Sequence, residues 1–259
     1  MIDWRIHHKA ETVSTNLDAR EGVHGDVFTA DYQTAGRGRL DHKWLSPPGR
    51  NLMMSVVLSV AGLTPEHIST LPLVAGLSVC KAIHFLLSLR HLCAPFAAIN
   101  EVLATKGAQG GRREILLKWP NDVLVDGKKI AGILCERNGD NVIAGIGVNV
   151  GQTEFPPEIA ERATSLVLHV PQVPSVLELR NTLLSELGKW YEIWRSGGFA
   201  AVHPEIAAVD FLKGREVSVR QTDDDSAPIV GIANGIMADG SLDVGGVKVY
   251  AGEAHVEKT

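Results

Sequence analysis

The dipeptide Asp126-Gly127 stands between two β-rich runs, Val123-Leu124-Val125 and Lys128 to Cys135. No other feature narrows the fold of this chain as much. Asp-Gly readily supplies the two left-handed residues of a tight turn, so the flanking runs are expected to pair as a hairpin. Ile115 to Trp119 is another β-rich run, and Pro120 ends it because proline cannot donate to a ladder. Val142 to Val150 (VIAGIGVNV) adds one more strand. Its Gly145, Gly147 and Gly151 lie inside a β-rich run and lack the spacing of a dinucleotide fingerprint. Such glycines mark places where a ligand or another chain segment comes close.

Around this block the pattern alternates between strand and helix. Strands are expected at 2–9, 27–32 and 51–60, and a helix start at Val13-Ser14-Thr15-Asn16. Helices fit 65–89, 96–104 and 174–197, the last with Trp190, Tyr191 and Trp194 as apolar anchors. In the first, Leu71, Val74, Ala75, Ser78, Val79, Ala82 and Phe85 share one face. Leu71 to Leu89 is nearly apolar over about a membrane thickness. Lys81 and His84 near its centre are costly in lipid, so it reads as a buried helix of a cytoplasmic protein that does not enter membranes. Lys106 to Arg113 is a polar, glycine-rich connector. From Gly214 onward, short alternating strands are separated by turns at Asp223-Asp224-Asp225, Asp239-Gly240 and Gly245-Gly246. That is the pattern of a small β-barrel, which places a domain boundary near 210, between 1–209 and 210–259.

Composition excludes some functions. The net charge of −5, from 25 Lys and Arg against 30 Asp and Glu, lacks the positive footprint of a nucleic-acid wrapper. Cys80, Cys93 and Cys135 have no CxxC spacing, and each lies among apolar residues. They read as buried free thiols rather than disulfides or zinc ligands. Walker A, HExxH, GxSxG and EF-hand patterns are absent.

Three features could carry chemistry. The first is Gly36-Arg37-Gly38-Arg39, in a long loop over 35–50 that also holds Trp44. Arginines alternating with glycines can wrap a multiply charged anion, although such a segment can also be a solvated turn. The second is Lys118-Trp119-Pro120-Asn121-Asp122, where Asn and Asp could hold Mg²⁺ or simply form an Asx turn. The third is Lys129, which could equally be an edge lysine. Taken together, Arg37, Arg39, Lys118, Lys129 and the Asn-Asp pair suit activation of a carboxylate by ATP. Cations and Mg²⁺ must there offset the repulsion between carboxylate and triphosphate.

In this order the motifs resemble those of biotin protein ligases. The matching residues are Val13-Ser14-Thr15-Asn16, then Gln33-Thr34-Ala35-Gly36-Arg37-Gly38-Arg39 with Trp44, Ser46-Pro47, Gly49 and Asn51-Leu52. Lys118 to Asp122, Gly127 to Leu134 with Glu136, and Gly145 to Asn149 complete the set. The resemblance implies an α+β fold. Its catalytic domain would be a mixed sheet flanked by helices, like that of class II synthetases and biotin–lipoate ligases, followed by an SH3-like barrel. It implies that biotin and ATP give biotinyl-5′-AMP, and that the biotinyl group then passes to a lysine of a carboxyl carrier protein domain.

Carried over position by position, Ser14, Thr15, Asn16 and Gln33 would bind the biotin ureido ring. Gly132, Ile133 and Gly145 would shape the pocket wall. Gly36, Arg37, Gly38 and Arg39 would form the loop that closes over biotin and the adenylate phosphate, and Trp44 would cover the adenine. Lys129 would contact the biotin carboxylate and α-phosphate, with Lys118, Arg37 and Arg39 as further catalytic cations. Asn121, Asp122 and Asn149 would serve ATP, and Asp122 its Mg²⁺. Where many relatives continue Arg-Gly-Arg-x-Trp, this chain has Leu40-Asp41-His42-Lys43-Trp44, which puts nucleotide contacts from 40–43 in question. The first strand is expected from Ile2, leaving no room for a helix-turn-helix, so DNA is not an expected partner. A homodimer is left open. The competing readings are a non-catalytic or repressor-type biotin sensor and a lipoate ligase.

Overall fold

The computed structural model describes residues 2–40, 42–93, 114–221 and 227–257. The helix expected at 96–104, the 106–113 connector, Asp41, the side chain of Cys93 and the 223–225 turn lie outside the described residues.

The 115–150 block folds as its turns require. Strands β4 (Ile115–Lys118), β5 (Asp122–Val125), β6 (Lys128–Asn138) and β7 (Asn141–Val148) form an antiparallel meander. Asp126 and Gly127 turn between β5 and β6 at φ 50° and 79°. Strand β3 (Leu52–Ser59) pairs with β7, β2 (Asp26–Gln33) with β3, and β1 (Arg5–Thr12) with β2. The result is a seven-stranded sheet in the order β1-β2-β3-β7-β6-β5-β4. Its β1–β2 pair is parallel and the other pairs are antiparallel. β1 lies three residues further along than expected. It is an edge strand exposed along most of its length, so its register rests on backbone pairing and leaves little apolar signature.

Helix α1 (Thr15–Asp18) sits on one face of the sheet. After the short α2 (Pro65–Ser69), α3 (Leu71–Cys93) and α4 (Val176–Gly197) cover the other face. Ser175 and Glu178 form a reciprocal cap that starts α4. Leu183, Leu187, Trp190, Tyr191 and Trp194 make its buried stripe. α3 was expected to bury one face, but Leu73, Leu77 and Ile83 off that face are buried as well, whereas Phe85 on it is exposed. The helix is wedged between the sheet and α4, and beyond Ala82 burial passes to Ile83, Leu86 and Leu87. The stretch apolar enough to cross a membrane, Pro65–Ser88, is mostly buried inside the fold, and Lys81 pairs with Glu205 at 2.5 Å. A helix over Phe199–Ala207, labelled α5, lies where no element was expected and carries Pro204 inside it. Burial of Phe199, Val202 and Ile206 holds it.

The C-terminal strands β8 (Glu216–Arg220), β9 (Ile229–Ile236), β10 (Leu242–Val244), β11 (Val247–Val249) and β12 (Glu253–Val256) form a second, antiparallel sheet. Trp119, 2% exposed, donates its indole N–H to Gly240 O at 3.2 Å and locks the two sheets together. Cys80 is buried and Cys135 partly buried, both free, and burial pushes each thiol up to about 12. They stay protonated and unreactive.

Candidate active site

The face of the first sheet away from α3 and α4 carries a cavity of about 900 Å³. Its floor follows from strand register, since directly opposed residues point to the same side. One rung reads Met53–Gly147–Gly132–Asp122, the next Ser55–Gly145–Leu134, and the next Val57–Ile143–Glu136. The glycines are steric requirements. A Cβ on Gly145 would lie 2.2 Å from Asn16 Oδ1, and one on Gly147 would lie 2.4 Å from the Trp44 indole.

At the Gly145 rung the walls are neutral and polar. Ser14 opens α1 in extended backbone, and Thr15 and Asn16 sit in its first turn, all three buried. Thr15 donates to Gln33 Oε1 through its backbone N–H at 2.8 Å and its hydroxyl at 3.1 Å. The Ser55 hydroxyl, wholly buried, lies 2.7 Å from Thr15 Oγ1 and 2.6 Å from Asn16 Oδ1, with one proton to share between them. Asn16 Nδ2 donates to Glu136 Oε2 at 2.6 Å, and Arg37 Nη1 donates to Glu136 Oε1 at 3.0 Å.

At the Gly132 rung the walls are charged. Lys129 Nζ lies 2.6 Å from Asp122 Oδ1, and its stem passes over Gly132. Lys118 stands nearby. Burial, its largest influence, holds its ammonium below the ordinary lysine range, and Lys129 adds to this while Asp122 opposes it. Asn121 Nδ2 donates to Ile133 O at 2.8 Å, while its Oδ1 accepts from Arg39 Nη1 at 3.2 Å. Asn149 is held by Thr164 O at 3.0 Å and by Asn51 at 3.4 Å.

Residues 36–40 and 42–44 fold over this floor as the two arms of a small hairpin. Gly38 N donates to His42 O at 2.7 Å and Trp44 N to Gly36 O at 2.9 Å. Leu40 occupies the turn at φ 50°, a left-handed conformation that a leucine adopts only at some cost. His42 shapes this turn through its main chain, and its imidazole is exposed. The Trp44 ring packs on Gly132 and Gly147, with its Nε1 buried and without a hydrogen-bond partner. Arg39 Nη1 also reaches Gly252 O in the second sheet, at 3.4 Å.

Most of the sequence-derived residues line one cavity, but Gly36 is buried against the Trp44 main chain outside it, Arg37 pairs with Glu136 rather than standing with Lys129, and Ile133 differs in the direction of its side chain. Its side chain turns into the helix layer towards Gly76, and only its main chain meets the pocket side, through Asn121. Sequence reasoning missed Ser55, hidden as one polar residue in an apolar strand. It also missed the cavity walls from Phe155, Ile159, Arg162 and β12. Those segments carry no local motif and reach the site only through the tertiary fold.

A pocket with one neutral, hydrogen-bonding end and one cationic end, closed by an arginine-bearing hairpin, defines the class. The chain belongs to the biotin/lipoate A/B protein ligase family, whose pattern matches residues 5–152. The biotin–[acetyl-CoA-carboxylase] ligase of Mycobacterium tuberculosis is 34% identical, over 96% of this chain and 88% of that protein. The structure of biotin protein ligase from Aquifex aeolicus in complex with biotin and ATP superposes with a TM-score of 0.76 and 28% identity. It covers 98% of this chain and 99% of that one. The Leishmania major biotin protein ligase in complex with biotinyl-5-AMP gives a TM-score of 0.62 at 25% identity, over 98% and 99% of the two chains.

Proposed function

We infer that this chain is an ATP-dependent biotin–protein ligase. The observation that carries the reading is the joining of two unlike ends in one 900 Å³ cavity, large enough to hold biotin and a nucleotide end to end. The neutral end suits a ureido ring, which offers two N–H donors and one carbonyl acceptor. Ser14, Thr15, Asn16 and Gln33 line this end, and Ser55 beneath them fixes Thr15 and Asn16, so the site need not reorganise to meet such a ring. A ligand lacking the ureido groups would forgo the hydrogen bonds that this fixed set of groups offers.

Lys129 and Lys118 at the other end supply the charge that lets two anions meet. A carboxylate oxygen of biotin attacks the α-phosphorus of ATP, and the bond to the pyrophosphate oxygen breaks. The acceptor lysine, as its neutral amine, then attacks the acyl carbon of the mixed anhydride. AMP leaves, and the amine proton passes to solvent or a nearby base. Lys129 would release Asp122 to face the carboxylate and α-phosphate, holding both oxygens in line. No group of three His, Cys, Asp or Glu among the described residues could form a dedicated metal cage. One carboxylate suffices for Mg²⁺ that arrives on a nucleotide and keeps its waters. Asp122, beside Asn121, fits that role, and the ion would neutralise phosphate charge when bound. The hairpin with Arg39 and Trp44 would exclude water from the hydrolysable adenylate.

The test is incubation with biotin, MgATP and a biotin-acceptor domain. The expected result is AMP, pyrophosphate and one biotinylated lysine. A folded preparation that forms neither adenylate nor labelled acceptor overturns the reading.

A further inference from the structure

The hairpin over the site has two anchors, at opposite ends of the cavity. Arg39 holds the cationic end through Asn121 and Gly252. Arg37 holds the neutral end through Glu136, at 3.0 Å. Glu136 lies four residues beyond Gly132 on the same face of β6, about 13 Å along the strand. The Lys129 stem and ammonium pass over Gly132. An arginine engaged with Glu136 is therefore not serving the anions at Lys129. It fastens the hairpin to the floor at the end furthest from the phosphates.

The other carboxylate oxygen of Glu136 accepts from Asn16 Nδ2 at 2.6 Å. That contact sets the amide of Asn16, turning Oδ1 toward Ser55 at 2.6 Å and so toward Thr15 and Gln33. One side chain thus ties the hairpin to the polar network of the floor. An uncharged acceptor could orient Asn16, but only an anion also pairs with a guanidinium. Glu136 is one-quarter exposed and Arg37 nearly half, so the pair can open and close and its strength depends on salt.

We propose that Glu136 is a positioning residue that latches the hairpin through Arg37 and orients Asn16, so that closure is coupled to the ureido end of the pocket. This rests on the ligase reading and assigns a residue to retention of its intermediate.

The experiment compares wild type, Glu136→Gln, Glu136→Ala, Arg37→Gln and the double variant Arg37→Gln/Glu136→Gln. Adenylate is formed in a single turnover without acceptor, and its release is followed at low and high salt. Glu136→Gln keeps an acceptor for Asn16 and loses the ionic tie. It should release adenylate about two- to fivefold faster, as expected for a partly exposed ion pair. Release from wild type should quicken with salt more steeply than release from Glu136→Gln, which has lost the ionic tie. Glu136→Ala, which leaves Asn16 Nδ2 only its longer 3.5 Å bond to Leu134 O, should in addition raise the KM for biotin. The double variant should release no faster than either single one. Wild-type release rates for both single Gln variants, or effects that add in the double variant, would overturn the latch. Should Glu136→Gln fail to fold, the exposed Arg37→Gln gives the same reading of the tie. Failure of the wild type itself to form adenylate is a separate outcome and overturns the ligase reading together with the latch.

Discussion

The two ends of the cavity are built on different physics. At the Gly145 rung, polar groups are buried, neutral and bonded to one another through Gln33, Thr15, Ser55 and Asn16. At the Gly132 rung, Lys129 and Asp122 pair with each other in a more exposed setting, and Lys118 has no carboxylate within hydrogen-bonding distance among the described residues. The first end is pre-organised before a ligand arrives and selects by shape and hydrogen bonding. The second holds charge in reserve, and an anionic ligand completes it. Recognition therefore belongs to the neutral end and activation to the charged end, with the hairpin joining them.

Substitutions at each end should separate these roles. The largest effect is expected from Lys129→Ala. It should lower biotin-dependent ATP–pyrophosphate exchange by 100-fold or more, about the loss seen when one electrostatic stabiliser of a transition state is removed. Circular dichroism should show the fold intact. An unchanged exchange rate would reduce Lys129 to a structural partner of Asp122. Next comes Gly145→Ala, whose methyl would meet Asn16 Oδ1. Biotin affinity by calorimetry should fall about tenfold or more, while ATP binding changes little, since one displaced buried polar group costs about 1–3 kcal/mol. Equal losses for both ligands would erase the distinction between the ends.

Arg39→Gly should act more weakly, raising adenylate release severalfold and slowing its synthesis less. Single-turnover release no faster than wild type would show that the anchor to Asn121 and Gly252 does not hold the hairpin closed. The smallest effect is one of stability. Burial lowers the Lys118 ammonium, so the folded state carries a penalty for its charge that is full below the folded pKa. The penalty disappears as pH rises through that value towards the ordinary lysine range. Lys118→Met should therefore raise the melting temperature of the ligand-free protein by a degree or a few at neutral pH and less at alkaline pH, while lowering exchange. A lower melting temperature at neutral pH would mean that Lys118 is paired more favourably than the geometry indicates.

Much of this was legible in the chain because it is local. Asp126-Gly127 encodes its own turn, and Ser175 with Glu178 caps its own helix. Lys118 to Asp122 and Gly36 to Arg39 bring charge and glycine together within a few residues. Ser55 was not legible as functional and Glu136 was matched without a role, because what they do depends on partners far away in the chain. Ser55 matters through Thr15 and Asn16, and Glu136 through Arg37 and Asn16, contacts that span 39 to 120 residues. The α5 helix was missed for a related reason: burial of Phe199, Val202 and Ile206 outweighs the local signal of Pro204.

By itself, then, the sequence determined most of the strands and helices other than α5, where the hairpin turns, and which residues have the chemistry to bind an anion. Those properties rest on backbone preference and periodicity, which act over a few residues. Only the tertiary structure decided that Gly132 and Gly147 share one rung and Gly145 and Ser55 the next, and that Glu136 lies a further rung from the cationic end. Register does that, because a shift of one residue would turn every one of these side chains to the opposite face.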